Sequence, residues 1–107
     1  MLVHEACIVT PRPVDRSGYL RDSDLTLDTW GPIGWQDGTP ERDRRVIVDL
    51  RHVTGFGAGT AERIARVLVD AGAGSVQVEG GRRATMRSAF TATLKQACME
   101  YERGAAR

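Results

Sequence analysis

The chain has 107 residues, of which 41% are apolar and 27% are charged, and its formal net charge is +1. These proportions are those of an ordinary globular domain, and they exclude a disordered chain, a coiled coil and a collagen-like chain. No apolar run reaches the roughly 18 residues that a membrane span needs, and the first residues lack the pattern of a signal peptide. We therefore expect one domain over residues 1–107 that is cytoplasmic and makes no membrane contact.

Arginine accounts for all but one of the 15 basic residues, and the exception is Lys95. The arginine guanidinium suits the recognition of phosphate and carboxylate groups. The 14 acidic residues balance this charge, however, so that no basic field covers the whole domain. Because alanine, glycine and valine are also plentiful, the arginine content is equally typical of a GC-rich bacterial or phage genome.

Three strands are predicted in the first half of the chain. The first covers residues 2–10, which are rich in β-branched side chains and end at a proline. The second covers 25–30, where apolar and polar residues alternate with period two. The polar segment 14–23 before it is predicted to form a turn. The third is the continuous apolar run 46–50, which is typical of a central strand covered on both faces.

A long loop is predicted over residues 31–45, because glycines, prolines and a charged run leave no regular period there. This loop could be mobile. Trp30, Ile33 and Trp35 lie in or beside it, with little room for all three to be buried. Exposed tryptophan on a loop is typical of a contact surface. We therefore predict that Trp30, Ile33 and Trp35 bind a partner, with the alternative that Trp30 ends a strand and covers the core.

The second half of the chain predicts a helix, a strand and a second helix. Apolar residues recur at helical spacing over 61–71, a short strand covers 75–79, and a longer amphipathic helix covers about 84–102. A strand, a helix and a strand in this order favour a right-handed parallel crossover. The predicted fold class is therefore an α/β domain, an α+β sandwich with three N-terminal strands followed by helix, strand and helix. Its mixed sheet would carry both helices.

Glycines precede the first predicted helix, where a phosphate could rest on free backbone N–H groups and the positive end of the helix dipole. Gly57, Gly59 and Thr60 are the candidate residues. Their spacing matches neither the dinucleotide-binding fingerprint nor the Walker loop, which has a lysine before its Ser/Thr. The alternative is a plain turn that uses glycine for its conformational freedom.

Three arginines lie around the start of the last helix, namely Arg82, Arg83 and Arg87. Positive charge there opposes the helix macrodipole, so a cluster at this position favours a functional interpretation. Contacts to nucleic-acid phosphates would be one. The alternative is a solvated helix end whose arginines pair with acids of the sheet edge.

A zinc site made of His4, Cys7, His52 and Cys98 is not expected. His4 and Cys7 are an odd number of residues apart on a predicted strand, so they point to opposite faces of the sheet. No C-x-x-C pair is present to anchor a metal. We predict no metal, no cofactor and no catalytic residue.

The predicted order of three strands, a helix and a strand resembles the start of the ribonuclease-H-like nucleases. The resemblance implies a metal-dependent nuclease in which Glu5, Glu62 and Glu79 lie on the first strand, the first helix and the fourth strand. The family has an aspartate on its first strand, where this chain has Glu5, and the motifs around that aspartate are missing here.

A second resemblance covers residues 46–94. The segments V-I-V-D-L-R-H-V-T, V-Q-V and R-R-A-T-M, with a predicted helix between the first two, resemble the middle of a STAS domain, the fold of the anti-sigma-factor antagonists. The serine that such domains phosphorylate is absent, because Gly57, Ala58 and Gly59 stand at that place. The loop 31–45 also replaces the helix expected between the second and third strands. The resemblance implies a binding domain without the phosphorylation switch.

These observations together predict a non-catalytic interaction or assembly module. It would form a homo-oligomer or dock a protein partner through the segment 30–45, for example in a bacterial or phage particle. The first alternative is a nucleic-acid-binding protein that uses Arg82, Arg83 and Arg87. The second alternative is the metal-dependent nuclease.

Overall fold

The computed structural model describes residues 7–26, 29, 44–81 and 83–105. Within these ranges the chain forms five strands and two α-helices, with a 3-10 turn at Asp22–Asp24. The elements in chain order are β1 (Cys7–Val9), β2 (Tyr19–Leu20), β3 (Arg44–Asp49), β4 (Gly55–Phe56), α1 (Ala58–Asp70), β5 (Ala73–Glu79) and α2 (Ala84–Ala105).

The main sheet has three strands in the order β1-β3-β5, and both of its pairings are parallel. Strands β2 and β4 form a separate parallel pair in which Tyr19 lies opposite Gly55 and Leu20 opposite Phe56. The two helices and the small sheet confirm the predicted fold class. The expectation of a mixed sheet is corrected for the described residues, because each neighbouring pair of strands is joined by a long connection that returns the chain in the same direction.

The apolar stripe predicted for the first helix is buried, including Ile64 and Leu68. Helix α1 begins at Ala58, earlier than the apolar spacing predicted over 61–71, with Gly57 as its N-cap, and it is followed by Gly72 at a φ of 75°. Phe90 and Leu94 of α2 are fully buried against the same core. Within the described ranges, neither α-helix has an apolar stretch of the length that a bilayer crossing requires.

The strand predicted at 25–30 is wrong wherever the structure describes that segment. Leu25 and Thr26 have no regular structure, and they follow the 3-10 turn. The cause is the buried Asp24 side chain, which accepts hydrogen bonds from the backbone N–H of Arg21 at 2.9 Å and of Val14 at 3.3 Å. An aspartate that binds nearby backbone in this way closes a turn and competes with strand formation.

Two further boundaries differ from the sequence prediction. The polar segment 14–23, predicted as a turn, contains the short strand β2, because Tyr19 and Leu20 pair with β4. Strand β3 begins at Arg44, so the last two residues of the predicted loop 31–45 belong to a strand. The remainder of that loop lies outside the described residues.

Candidate functional site

A cavity lies at the carboxyl ends of β1 and β3. Open α/β sheets bind ligands at this edge, where the loops that follow parallel strands come together. The cavity has a volume of about 450 Å³ and lies between the loops 12–18 and 51–54. Its charged lining residues are Arg12, Asp15, Arg16 and Arg51, and His52 also lines it. We call it the cationic cavity, since its lining contains three arginines and one carboxylate.

The two loops of the cationic cavity are fixed to each other. The backbone N–H of Thr54 donates to the carbonyl oxygen of Gly18 at 2.8 Å, and the Thr54 hydroxyl donates to the carbonyl oxygen of Ser17. Gly18 has a φ of 89°, and a Cβ atom there would lie 2.7 Å from the Thr54 hydroxyl oxygen. Only glycine allows this close approach at a positive φ. The walls of the cavity are therefore held by direct contacts rather than by the strands alone.

Arg51 is oriented by the buried carboxylate of Asp49. The Asp49 Oδ2 atom accepts a hydrogen bond from Nε of Arg51 at 2.7 Å, and it lies 2.7 Å from Nη2 of the same guanidinium. Asp49 Oδ1 accepts the backbone N–H of Arg51 at 3.0 Å. Charge-assisted pairs of this kind fix a guanidinium in one plane. The Arg51 side chain nevertheless stays 66% exposed, so it can contact a ligand in the cavity.

The Asp15 carboxylate is engaged within its own loop. It accepts hydrogen bonds from the backbone N–H and the hydroxyl of Ser17, both at 2.8 Å, and lies 3.5 Å from a guanidinium nitrogen of Arg21. The backbone hydrogen bond from Ser17 is the largest of the causes that lower the pKa of Asp15, followed by the hydroxyl and then by Arg21. Arg12 and Arg16 form no ion pair with any carboxylate in the described part of the chain. The cavity therefore presents cationic groups to an anionic ligand.

The anion site predicted at Gly57, Gly59 and Thr60 lies next to a carboxylate of the chain itself. The Thr60 hydroxyl donates to Oδ1 of Asp22 at 2.7 Å, and Asp22 Oδ2 lies 4.0 Å from where a Cβ of Gly59 would be. The Tyr19 ring packs over the same turn, with its hydroxyl 3.4 Å from the Cβ position of Gly57. An anion at the start of α1 would thus lie beside Asp22, which already compensates the helix dipole there. Anion binding by Gly57, Gly59 and Thr60 stays a prediction.

The arginine cluster at the last helix adjoins the same edge of the sheet. Arg83 is exposed just before α2, and Arg87 is half-buried and donates to the carbonyl oxygen of Gly80 at 3.3 Å. Gly80 in turn packs against Asp49 and the backbone of Arg51. The structure therefore brings Arg87 close to the end of β3. Arg82 lies outside the described residues.

Several other residues singled out in the sequence do not come together. Glu62 is exposed on α1 beside Arg66, whereas Glu79 is exposed at the end of β5. Among the described residues, no group of three His, Cys, Asp or Glu side chains is arranged to hold a metal ion. Cys7 and Cys98 are half-buried free thiols on separate elements. The remaining candidates, Glu5, His4, Trp30, Ile33 and Trp35, lie outside the described residues.

The sequence prediction missed the residues of the cationic cavity. Arg12 and Arg16 lie in a polar segment with no motif, and Arg51 and His52 follow a buried strand some forty positions later. One signal could have indicated them, because charged residues that directly follow two parallel strands converge at one edge of the sheet. No protein-family model, curated protein or solved structure matches the chain. The cationic cavity is therefore the basis for a functional proposal.

Proposed function

We propose that the chain is a non-catalytic interaction module that docks a protein partner in the cationic cavity. The partner would contribute an acidic segment whose carboxylates contact Arg12, Arg16 and Arg51. The observation that carries the proposal is the presence of these arginines and His52 in one cavity between two fixed loops. Arginine forks bind carboxylates in a bidentate manner, and such pairs define orientation as well as affinity.

The surroundings of the cavity favour a protein partner. Val14 lines the cavity and is 85% exposed. Protein interfaces are enriched in arginine around an apolar centre. A nucleic-acid surface would instead be strongly basic, whereas here the net charge is +1 and Asp15 lies in the lining. The mixture of arginine and apolar side chains therefore fits an acidic peptide segment better than a phosphate backbone.

The contacts within the cavity favour binding over reaction. Asp49 orients Arg51, Asp15 is hydrogen-bonded to Ser17, and the Thr54 hydroxyl holds the neighbouring loop. Each of these groups is therefore used to position the cavity wall. A reacting group would need a base or nucleophile whose hydrogen bonds are directed at the substrate. The proposed module accordingly recognises its partner without transforming it.

Nucleic-acid binding is the second candidate. It is favoured by the hydrogen bond from Arg87 to the carbonyl oxygen of Gly80, which places a second guanidinium beside the end of β3. Arg83 is exposed directly before α2. These side chains could extend the basic edge from Arg51 along the start of α2. Binding of this kind depends steeply on salt, since each phosphate contact releases a counterion.

Fluorescence anisotropy of the full chain with two labelled probes tests the proposal. The probes are a short peptide of aspartate, glutamate and leucine, and a single-stranded oligodeoxynucleotide. Arg16→Glu should weaken peptide binding by about fivefold or more. Arg103→Glu makes the same charge change near the carboxyl end of α2, outside the cavity lining, and it should leave the peptide affinity unchanged. Binding of the oligonucleotide alone, or equal losses in both variants, would overturn the protein-docking proposal.

A further inference from the structure

A second cavity, lined mainly by apolar side chains, lies beside the edge strand of the sheet. It has a volume of about 330 Å³ and opens between β5 and the second half of α2. Ala73 and Val76 of β5 and Leu68 and Val69 of α1 contribute to its apolar lining. We call it the β5–α2 groove. Because β5 is the last strand of the order β1-β3-β5, no described strand pairs with its outer side.

One face of α2 forms a wall of the groove. Lys95, Cys98, Met99 and Glu102 all line it, and their spacing of three, four and seven residues places them along one helical stripe. Met99 is 55% exposed, so its side chain is available for contact at the centre of this wall. Lys95 and Glu102 are exposed at the two ends of the stripe. The stripe therefore has an apolar centre, a positive end and a negative end.

This arrangement is complementary to itself. If two copies of α2 pack antiparallel about a two-fold axis between positions 98 and 99, each Lys95 faces Glu102 of the second copy. Each Cys98 then faces Met99 of the second copy. A two-fold interface requires such a surface, because the same patch must match itself after rotation. A partner of another kind would not need opposite charges at equal distances from the centre of one stripe.

We infer that the β5–α2 groove is a homodimer interface and that its occupant is the α2 stripe of a second copy of this chain. A two-fold axis perpendicular to the sheet also brings the outer edges of the two β5 strands together in antiparallel orientation. Pairing of these edges protects backbone groups that would otherwise recruit unrelated strands. The dimer uses none of the residues of the cationic cavity, so it stands independently of the proposed docking function.

Charge reversal on the full chain tests the interface, with the mass in solution measured by sedimentation velocity and light scattering over a range of concentrations. Lys95→Glu and Glu102→Lys each place like charges opposite each other at both ends of the stripe. Each should raise the dimer dissociation constant by about tenfold or more. The double variant restores opposite charges, and it should return the dissociation constant towards that of the original chain. Glu100→Lys is the matched control, since Glu100 is exposed on α2 outside the stripe.

The expected pattern is a dimer for the original chain, the control and the double variant, with both single reversals shifted towards monomer. All the changed side chains are exposed, so circular dichroism should show the same helix content throughout. A monomeric original chain at high concentration would overturn the inference. So would a dimer that neither reversal weakens, or a double variant that remains as dissociated as the single variants.

Discussion

Asp49 and Arg51 form a hydrogen-bonded pair at the carboxyl end of β3, where the buried Asp49 carboxylate accepts both a side-chain and a backbone N–H of Arg51. The pair links the central strand of the sheet to the cationic cavity, because Arg51 lines that cavity. The orientation of a proposed binding residue thus depends on a buried residue that does not line the cavity.

Replacement of Asp49 should affect both stability and binding. Asp49→Asn removes the negative charge and weakens the hydrogen bonds to Arg51, so we expect a loss of about 1–3 kcal/mol in the free energy of unfolding. Urea denaturation measures this loss. Arg51→Ala is the companion variant, and it should weaken binding of the acidic peptide. An Asp49→Asn variant with unchanged stability and unchanged peptide affinity would contradict the role assigned to the pair.

Gly80 should not tolerate a side chain. It has a φ of 78°, and a Cβ atom would lie 2.7 Å from Oδ1 of Asp49. We expect Gly80→Ala to lower the free energy of unfolding by about 1–3 kcal/mol. The matched control is Gly104→Ala in α2, where a Cβ would have no neighbour within 4 Å. The control should stabilise the chain by up to about 1 kcal/mol, since glycine is unfavourable within a helix. Equal effects at both positions would refute this explanation.

The Thr60 hydroxyl should contribute to the stability of the first turn of α1. Thr60→Val keeps the shape of the side chain but removes the donor to Asp22, so we expect a loss of about 1–3 kcal/mol on thermal or urea unfolding. Thr60→Ser retains the hydroxyl and should lose less. If valine were tolerated as well as serine, the hydrogen bond to Asp22 would have no net stabilising effect.

Tyr101 should ionise at higher pH than a free tyrosine. Its hydroxyl donates to Oδ1 of Asp70 at 2.8 Å, and this hydrogen bond is the main cause that raises the pKa of Tyr101. A raised pKa in the folded state means that the contact stabilises the fold below pH 10 and is lost as the pH rises through the pKa of the folded chain. Phenolate absorbance against pH, with Tyr101→Phe subtracted, measures the shift. Asp70→Asn should lower the midpoint, and an unchanged midpoint would argue against the assigned cause.

The elements with strong periodicity could be predicted from the sequence. The apolar run at 46–50 became the core of β3, and the helical stripe with Ile64 and Leu68 is buried as expected. The segment 25–30 has a clear strand period, but the preceding Asp24 binds backbone N–H groups and closes a turn instead. Local hydrogen bonds of the buried Asp24 side chain therefore outweighed the hydrophobic pattern in this segment.

The arginines of the candidate site could not be predicted from local sequence patterns. Arg12 and Arg51 carry no local signal, and Arg83 and Arg87, which the sequence singled out, are not among the residues that line the cavity. Arg12 and Arg51 come together because β1 and β3 are parallel neighbours, which brings the loops after them to one edge of the sheet. Strand order is a long-range property that local patterns do not encode. The cationic cavity therefore required the structure.

The most direct test of the docking proposal is an NMR titration of the isotopically labelled full chain with the acidic peptide. Addition of the peptide should shift the backbone amide signals of residues 12–18 and 51–54, and Arg16→Glu should reduce those shifts. The signals of the second half of α2 should remain in place. Shifts confined to residues outside both loops, or no shifts in either loop at saturating peptide, would contradict the proposal that the cationic cavity is the docking site.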